Sequence, residues 1–204
     1  ALLAPGKTTI HAVPNILDVT IMAELLRRLG CTVSYRAETE TVEIDVPETI
    51  EHRADYDLVR RMRASIAVLG PLVARTGAAD VALPGGDAIG SRGLDMHTAG
   101  LERMGASVTN EHGYLVVNAP DGGLIGTHVY LDFPSVGATE TLLMAAVTAN
   151  GVTVIDNAAR EPDIVDLGEF LISMGAKIEG LGTPLITITG VEKLSPTDHT
   201  TITD

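Results

Sequence analysis

Met104-Gly105-Ala106-Ser107-Val108 has two near-copies in this chain, Leu29-Gly30-Cys31-Thr32-Val33 and Met174-Gly175-Ala176-Lys177-Ile178, with the three glycines 75 and 70 residues apart. Each glycine closes an apolar run with helical spacing: Met22/Leu25/Leu26/Leu29, Leu94/Thr98/Leu101/Met104 and Val165/Leu167/Phe170/Leu171/Met174. Glycine is the usual residue just past a helix end, because it enters the left-handed region without a β-carbon penalty. A strand-forming stretch follows in every copy. Cys31 stands where the other copies have Ala106 and Ala176, so it reads as a small packing residue.

Working outward, a second landmark repeats. Leu3-Ala4-Pro5-Gly6, Ala74-Arg75-Thr76-Gly77 and Thr148-Ala149-Asn150-Gly151 each read as a helix end before a short strand, at Thr8–His11, Asp80–Leu83 and Val152–Ile155. Val13-Pro14-Asn15-Ile16-Leu17-Asp18 and Arg160-Glu161-Pro162-Asp163-Ile164-Val165 place proline and acids where a helix starts. Strand pairs follow the second helices, clearest as Ala106–Asn110 with Tyr114–Asn118 and Lys177–Glu179 with Leu185–Thr189, and Thr127–Phe133 leads into the next copy. The acidic stretch Arg36–Tyr56 reads as a variable strand pair and loop. A unit of helix–strand–helix–strand–strand, present three times, predicts an α/β domain with pseudo-threefold symmetry. The units run roughly over 1–46, 57–120 and 127–194 of a single domain spanning 1–204.

Composition narrows the function. The 204 residues are 45% apolar, with a mean hydropathy of +0.24, which excludes a disordered chain. Aromatics are 3% and Trp is absent, so the core is aliphatic. A formal net charge of −13 argues against nucleic-acid or anionic-membrane binding, which relies on clustered Lys and Arg. No apolar run nears the ~20 residues of a membrane span. The single cysteine excludes an internal disulfide and suits a reducing, cytoplasmic location. No Cys/His spacing suggests a metal, and no cofactor is expected. The first residue is Ala and the last stretch is strand-like, so the chain reads as one domain of a longer polypeptide.

In the middle copy the helix-start slot is taken by Leu83-Pro84-Gly85-Gly86-Asp87-Ala88-Ile89-Gly90-Ser91-Arg92. Four glycines (Gly85, Gly86, Gly90, Gly93) lie within nine positions around one carboxyl and one guanidinium, a set suited to proton transfer beside an anionic substrate. A glycine-rich turn with a solvated Asp is the plainer alternative. Arg63 lies in the basic run Arg60-Arg61-Met62-Arg63, and Ser135-Val136-Gly137 precedes the helical run Glu140–Val147. Unpaired N–H groups at such a helix start form an anion site, with Ser135 as its cap.

These residues resemble the enolpyruvyl transferases. The resemblance rests on Met62-Arg63-Ala64-Ser65, the glycine loop, Leu94-Asp95-Met96-His97, Ser135-Val136-Gly137-Ala138-Thr139-Glu140 and Asn157-Ala158-Ala159-Arg160-Glu161-Pro162, in that order. It favours the branch acting on UDP-N-acetylglucosamine over the branch acting on shikimate 3-phosphate. It implies an inside-out α/β barrel of three repeated units, each with two helices and about four strands. It also implies a second domain that supplies the general base across a cleft, and transfer of the enolpyruvyl group of phosphoenolpyruvate to a sugar hydroxyl in peptidoglycan synthesis. By resemblance Asp87 is the proton donor, where most members carry a cysteine that the epoxide fosfomycin alkylates. Arg63 and Arg92 contact substrate anions, Gly93, Leu94, Asp95 and Met96 line the uridine pocket, and Ser135, Val136 and Gly137 hold the diphosphate. His97 is secondary. A shikimate-type transferase, a non-catalytic nucleotide-sugar binder and an RNA 3′-phosphate cyclase relative are the rival readings.

Overall fold

A computed structural model describes residues 1–54, 56–59, 61–83 and 93–202. In chain order the elements are β1 (Gly6–His11), α1 (Leu17–Arg28), β2 (Thr32–Arg36), β3 (Thr41–Val46), β4 (Arg53–Ala54), α2 (Tyr56–Val59), α3 (Leu69–Thr76), β5 (Ala78–Ala82), α4 (Asp95–Arg103), β6 (Ser107–Glu111), β7 (Tyr114–Asn118), β8 (His128–Tyr130), α5 (Val136–Ala146), β9 (Val152–Asp156), α6 (Pro162–Ser173), β10 (Lys177–Glu179), β11 (Leu185–Thr189) and β12 (Asp198–Thr200). Short 3-10 turns cover Ala37–Thr39 and Arg63–Val68.

The threefold repeat is visible in the strand order. Three four-stranded sheets run β12-β1-β3-β2, β4-β5-β7-β6 and β8-β9-β11-β10. The first pair of each is parallel and the others are antiparallel. Each sheet therefore adds one short parallel strand, of two or three residues, to an antiparallel set of three. For the first sheet that strand is β12, which pairs Thr9 with Asp198 from the far end of the chain.

The glycines behave as their positions require. Gly30, Gly105 and Gly175 all have φ near +100°, as only glycine does freely. The same two hydrogen bonds recur at each: Gly30 N–H to Arg27 O with Cys31 N–H to Leu26 O, Gly105 to Glu102 with Ala106 to Leu101, and Gly175 to Ile172 with Ala176 to Leu171. This is the Schellman cap, whose last residue packs back onto the helix. Cys31, Ala106 and Ala176 are accordingly all buried. The carbonyl just before each glycine is used alike, Leu29 O accepting from the Glu51 N–H, Met104 O from Ile125 and Met174 O from Ser195.

Helices share the interior and the sheets lie outside, without closing into a barrel. α5 packs against α3, α4 and α6 and buries Ala138, Leu142, Leu143, Ala145 and Ala146 with Thr139 and Thr141. The approach of α3 is close enough that a β-carbon on Gly70 would collide with the Thr141 carbonyl. Leu2, Leu3 and Ala4 form a buried turn, closed by Ala4 N–H to Ala1 O, at the place where α3 and α5 end in the other units. One expectation needs correction. The acidic stretch is more regular than a variable pair, since Val42, Ile44 and Val46 of β3 all point into the core. Its outward Glu43 meets Lys7 at 3.1 Å and Arg36 at 3.1 Å. Among the described residues no helix is long and apolar enough to cross a membrane.

Candidate active site

Two helix N-termini and the 3-10 turn meet at a cleft of about 760 Å³. Arg63, Ala64 and Ile66 come from the turn, and Gly93, Asp95, Met96 and His97 from the start of α4. Ser135, Gly137 and Glu140 of the α5 segment complete it, with Phe133 58% exposed at its edge. A shallower hollow of about 440 Å³ shares Arg63, Gly93 and Asp95 and adds Leu94. The fold thus gathers Arg63, Gly93, Leu94, Asp95, Met96, Ser135 and Gly137 from sequence positions up to 74 apart. Val136 is half-buried, and its side chain packs against the core, leaving only its main chain for the anion site. Asp87 and Arg92 lie outside the described residues.

The start of α5 is held from several sides. Ser135 Oγ accepts from the Ala138 N–H at 3.3 Å. Thr139 donates its hydroxyl to Ser135 O at 2.7 Å and accepts from the Ala159 N–H at 3.1 Å. Asn157, at φ 58°, donates to Leu131 O at 2.8 Å. The stretch Asn157-Ala158-Ala159 therefore braces the helix start rather than lining the cleft. The N–H groups of Val136 and Gly137 lie in the first turn, where no intrahelical acceptor exists. Such a terminus attracts anions.

His97 is more central than its sequence suggested. It is 5% exposed, with Nδ1 2.9 Å from Thr141 Oγ1. A β-carbon on Gly137 would stand 3.3 Å from His97 Cε1 and 3.4 Å from Nε2. Burial, and then the Arg63 guanidinium, lower its pKa to about 4 against a smaller opposing effect of Asp95. His97 is thus a neutral imidazole at pH 7, set against the start of α5. The Asp95 carboxylate folds back against Gly93, where a β-carbon would collide with it. Burial, reinforced by Asp163, raises the Glu140 carboxyl above the usual range. Phe133 and Glu140 escaped the sequence reading. A lone aromatic and a mid-helix acid carry no spacing signal that separates a cleft wall from a solvated face.

Three α/β units around shared helices, with two helix starts and an arginine at one cleft, define a domain built by triplication. The chain belongs to the EPSP synthase (3-phosphoshikimate 1-carboxyvinyltransferase) family, whose model matches residues 1–204. It is 57% identical over 208 residues to the UDP-N-acetylglucosamine 1-carboxyvinyltransferase of Nocardia farcinica. Identity to the protein of the same name from Corynebacterium jeikeium is 56% over 204 residues. Both alignments cover 100% of this chain and 48% of the relative, so the chain spans about half the length of the curated relatives it matches. The enolpyruvyl transferase NikO from Streptomyces tendae superposes with a TM-score of 0.86 at 24% identity, over 100% of this chain and 48% of that one. At that identity the likeness speaks for the fold.

Proposed function

We propose that this chain is the half of a UDP-N-acetylglucosamine enolpyruvyl transferase that carries the glycine loop, and that a second domain of the same polypeptide closes over its cleft. The observation carrying this reading is the identity of 56% and 57%, along the whole chain, to transferases of that name. The described cleft suits the chemistry. Both substrates are polyanions, yet the chain carries a formal charge of −13, so the attraction has to be local. Arg63 and the first-turn N–H groups of α5 supply it, the latter for the diphosphate of the nucleotide sugar. Gly93, Leu94, Asp95 and Met96 border the uridine.

The reaction is an addition followed by an elimination. The 3′-hydroxyl oxygen adds to C2 of phosphoenolpyruvate while C3 takes a proton. Loss of a C3 proton then expels phosphate and restores the enol double bond on the sugar. In this reading Asp87 delivers the C3 proton, Arg92 steadies the phosphate, and a base from the second domain takes the hydroxyl proton. A free Asp has pKa about 3.9 and is about 0.1% protonated at pH 7. Desolvation and the substrate's negative charges would raise it on closure. The reading implies a cytoplasmic enzyme at the first committed step of peptidoglycan synthesis, with no cofactor, metal or nucleic-acid partner. The test is phosphate release by the full-length protein, which requires both substrates together. This half by itself is expected to release none, because in this reading the second domain supplies the other wall of the cleft and the base. Binding of the nucleotide sugar without turnover would favour a non-catalytic paralogue.

A further inference from the structure

Glu140 is a cleft carboxyl for which neither the fold nor the proposed reaction gives a use. It stands three residues past Gly137 in α5 and lines the same cleft. Among the described residues its carboxyl accepts no hydrogen bond and forms no ion pair. Its surroundings do not neutralise it. Asp163, in the first turn of α6, opposes its charge, while Arg63, Asp95 and His97 border the cleft on the other elements. A half-buried carboxyl without a partner is costly unless something that binds supplies a donor.

Position says what kind of donor. One helical turn rises about 5.4 Å, so Glu140 lies less than a turn along α5 from the proposed anion site. A ligand reaching both must combine an anionic group with neutral hydrogen-bond donors a few ångströms away. Inorganic phosphate, phosphoenolpyruvate and a bare diphosphate would bring only further negative charge against this carboxyl and would be repelled. A sugar bonded to the diphosphate offers hydroxyls and, when N-acetylated, an amide N–H.

We infer that Glu140 is a specificity-determining residue that accepts a hydrogen bond from a hydroxyl or amide N–H of the phosphate-linked sugar. The inference rests on the proposed function and adds to it the residue that tells the sugar from its nucleotide. The measurement is calorimetric binding of UDP-N-acetylglucosamine and of UDP to the full-length protein, as wild type, Glu140→Gln and Glu140→Ala. Loss of a hydrogen bond to a charged acceptor is expected to weaken UDP-N-acetylglucosamine about ten- to a hundredfold in Glu140→Ala. Glu140→Gln, which keeps a neutral acceptor and the shape, is expected to lose only a few-fold. UDP is expected to bind all three equally well or slightly tighter as the charge is removed. Equal weakening of both ligands would mean that Glu140 only supports α5, and no change in either would leave it idle; both overturn the inference. Wild-type protein that fails to bind UDP-N-acetylglucosamine would instead overturn the functional reading beneath it.

Discussion

Gly70→Ala is a one-methyl test of the shared helical interior. The added β-carbon would collide with the Thr141 carbonyl oxygen and stand 3.2 Å and 3.3 Å from Thr141 C and Cα, all of them backbone atoms of α5 that no rotamer change can move. Two other effects enter. Alanine favours helix over glycine by up to about 1 kcal/mol. Gly70 also precedes Pro71 inside α3, where a β-carbon is disfavoured in the helical conformation. Overpacking a tight core costs about 1–3 kcal/mol, and here backbone rather than side chain must yield. The clash and the proline outweigh the propensity gain, leaving a net loss of about 2 kcal/mol. For a domain of this size that lowers Tm by about 4–8 °C. Gly77→Ala is the control: its site has φ +77° and nothing within 4 Å, so it loses only the left-handed strain of about 1 kcal/mol. Thermal and urea unfolding of both variants measure the difference. A Gly70→Ala protein as stable as the wild type, or less affected than Gly77→Ala, would refute the close α3–α5 contact.

Three further outcomes are expected. The His97 pKa of about 4 lies below the free value of 6.5, so the unfolded chain binds more protons between those limits and stability rises with pH across that window. The contribution is full above pH 6.5 and shrinks toward pH 4 by up to about 3 kcal/mol; urea unfolding of His97→Gln is expected to show a flatter acid limb, and an equally steep limb would assign the effect elsewhere. Ala12 holds φ 58° at the end of β1, where β9 is followed by Asn157 at φ 58°, so Ala12→Asn is expected to raise Tm by a degree or two, since Asn tolerates this region better; a lowered Tm would contradict the equivalence of the two sites. In the full-length protein, Asp87→Asn is expected to abolish most turnover while sparing substrate binding, and Asp87→Cys to keep activity and gain covalent inactivation by fosfomycin; near-normal turnover by Asp87→Asn would return Asp87 to the role of a turn residue.

Much of the fold is legible in the chain because the backbone preferences of glycine and proline are local. Gly30, Gly105 and Gly175 mark helix ends whatever surrounds them, and they give the repeat. β3 is legible too, since Val42-Glu43-Ile44-Asp45-Val46 alternates strictly, whereas its pairing with both β1 and β2 is not written locally. Cleft residues divide in the same way. Arg63 and Ser135-Val136-Gly137 carry chemistry that local sequence announces. Glu140 and His97 depend on which face of α5 and α4 turns toward the cleft, and that is fixed by packing among three units far apart in the chain.

The most direct test of the account is acceptor choice by the full-length protein in a phosphate-release assay with phosphoenolpyruvate. We expect release matched to consumption of UDP-N-acetylglucosamine, and none above background with shikimate 3-phosphate or with either substrate alone. Release with shikimate 3-phosphate, or tight binding of UDP-N-acetylglucosamine without any release, would contradict it.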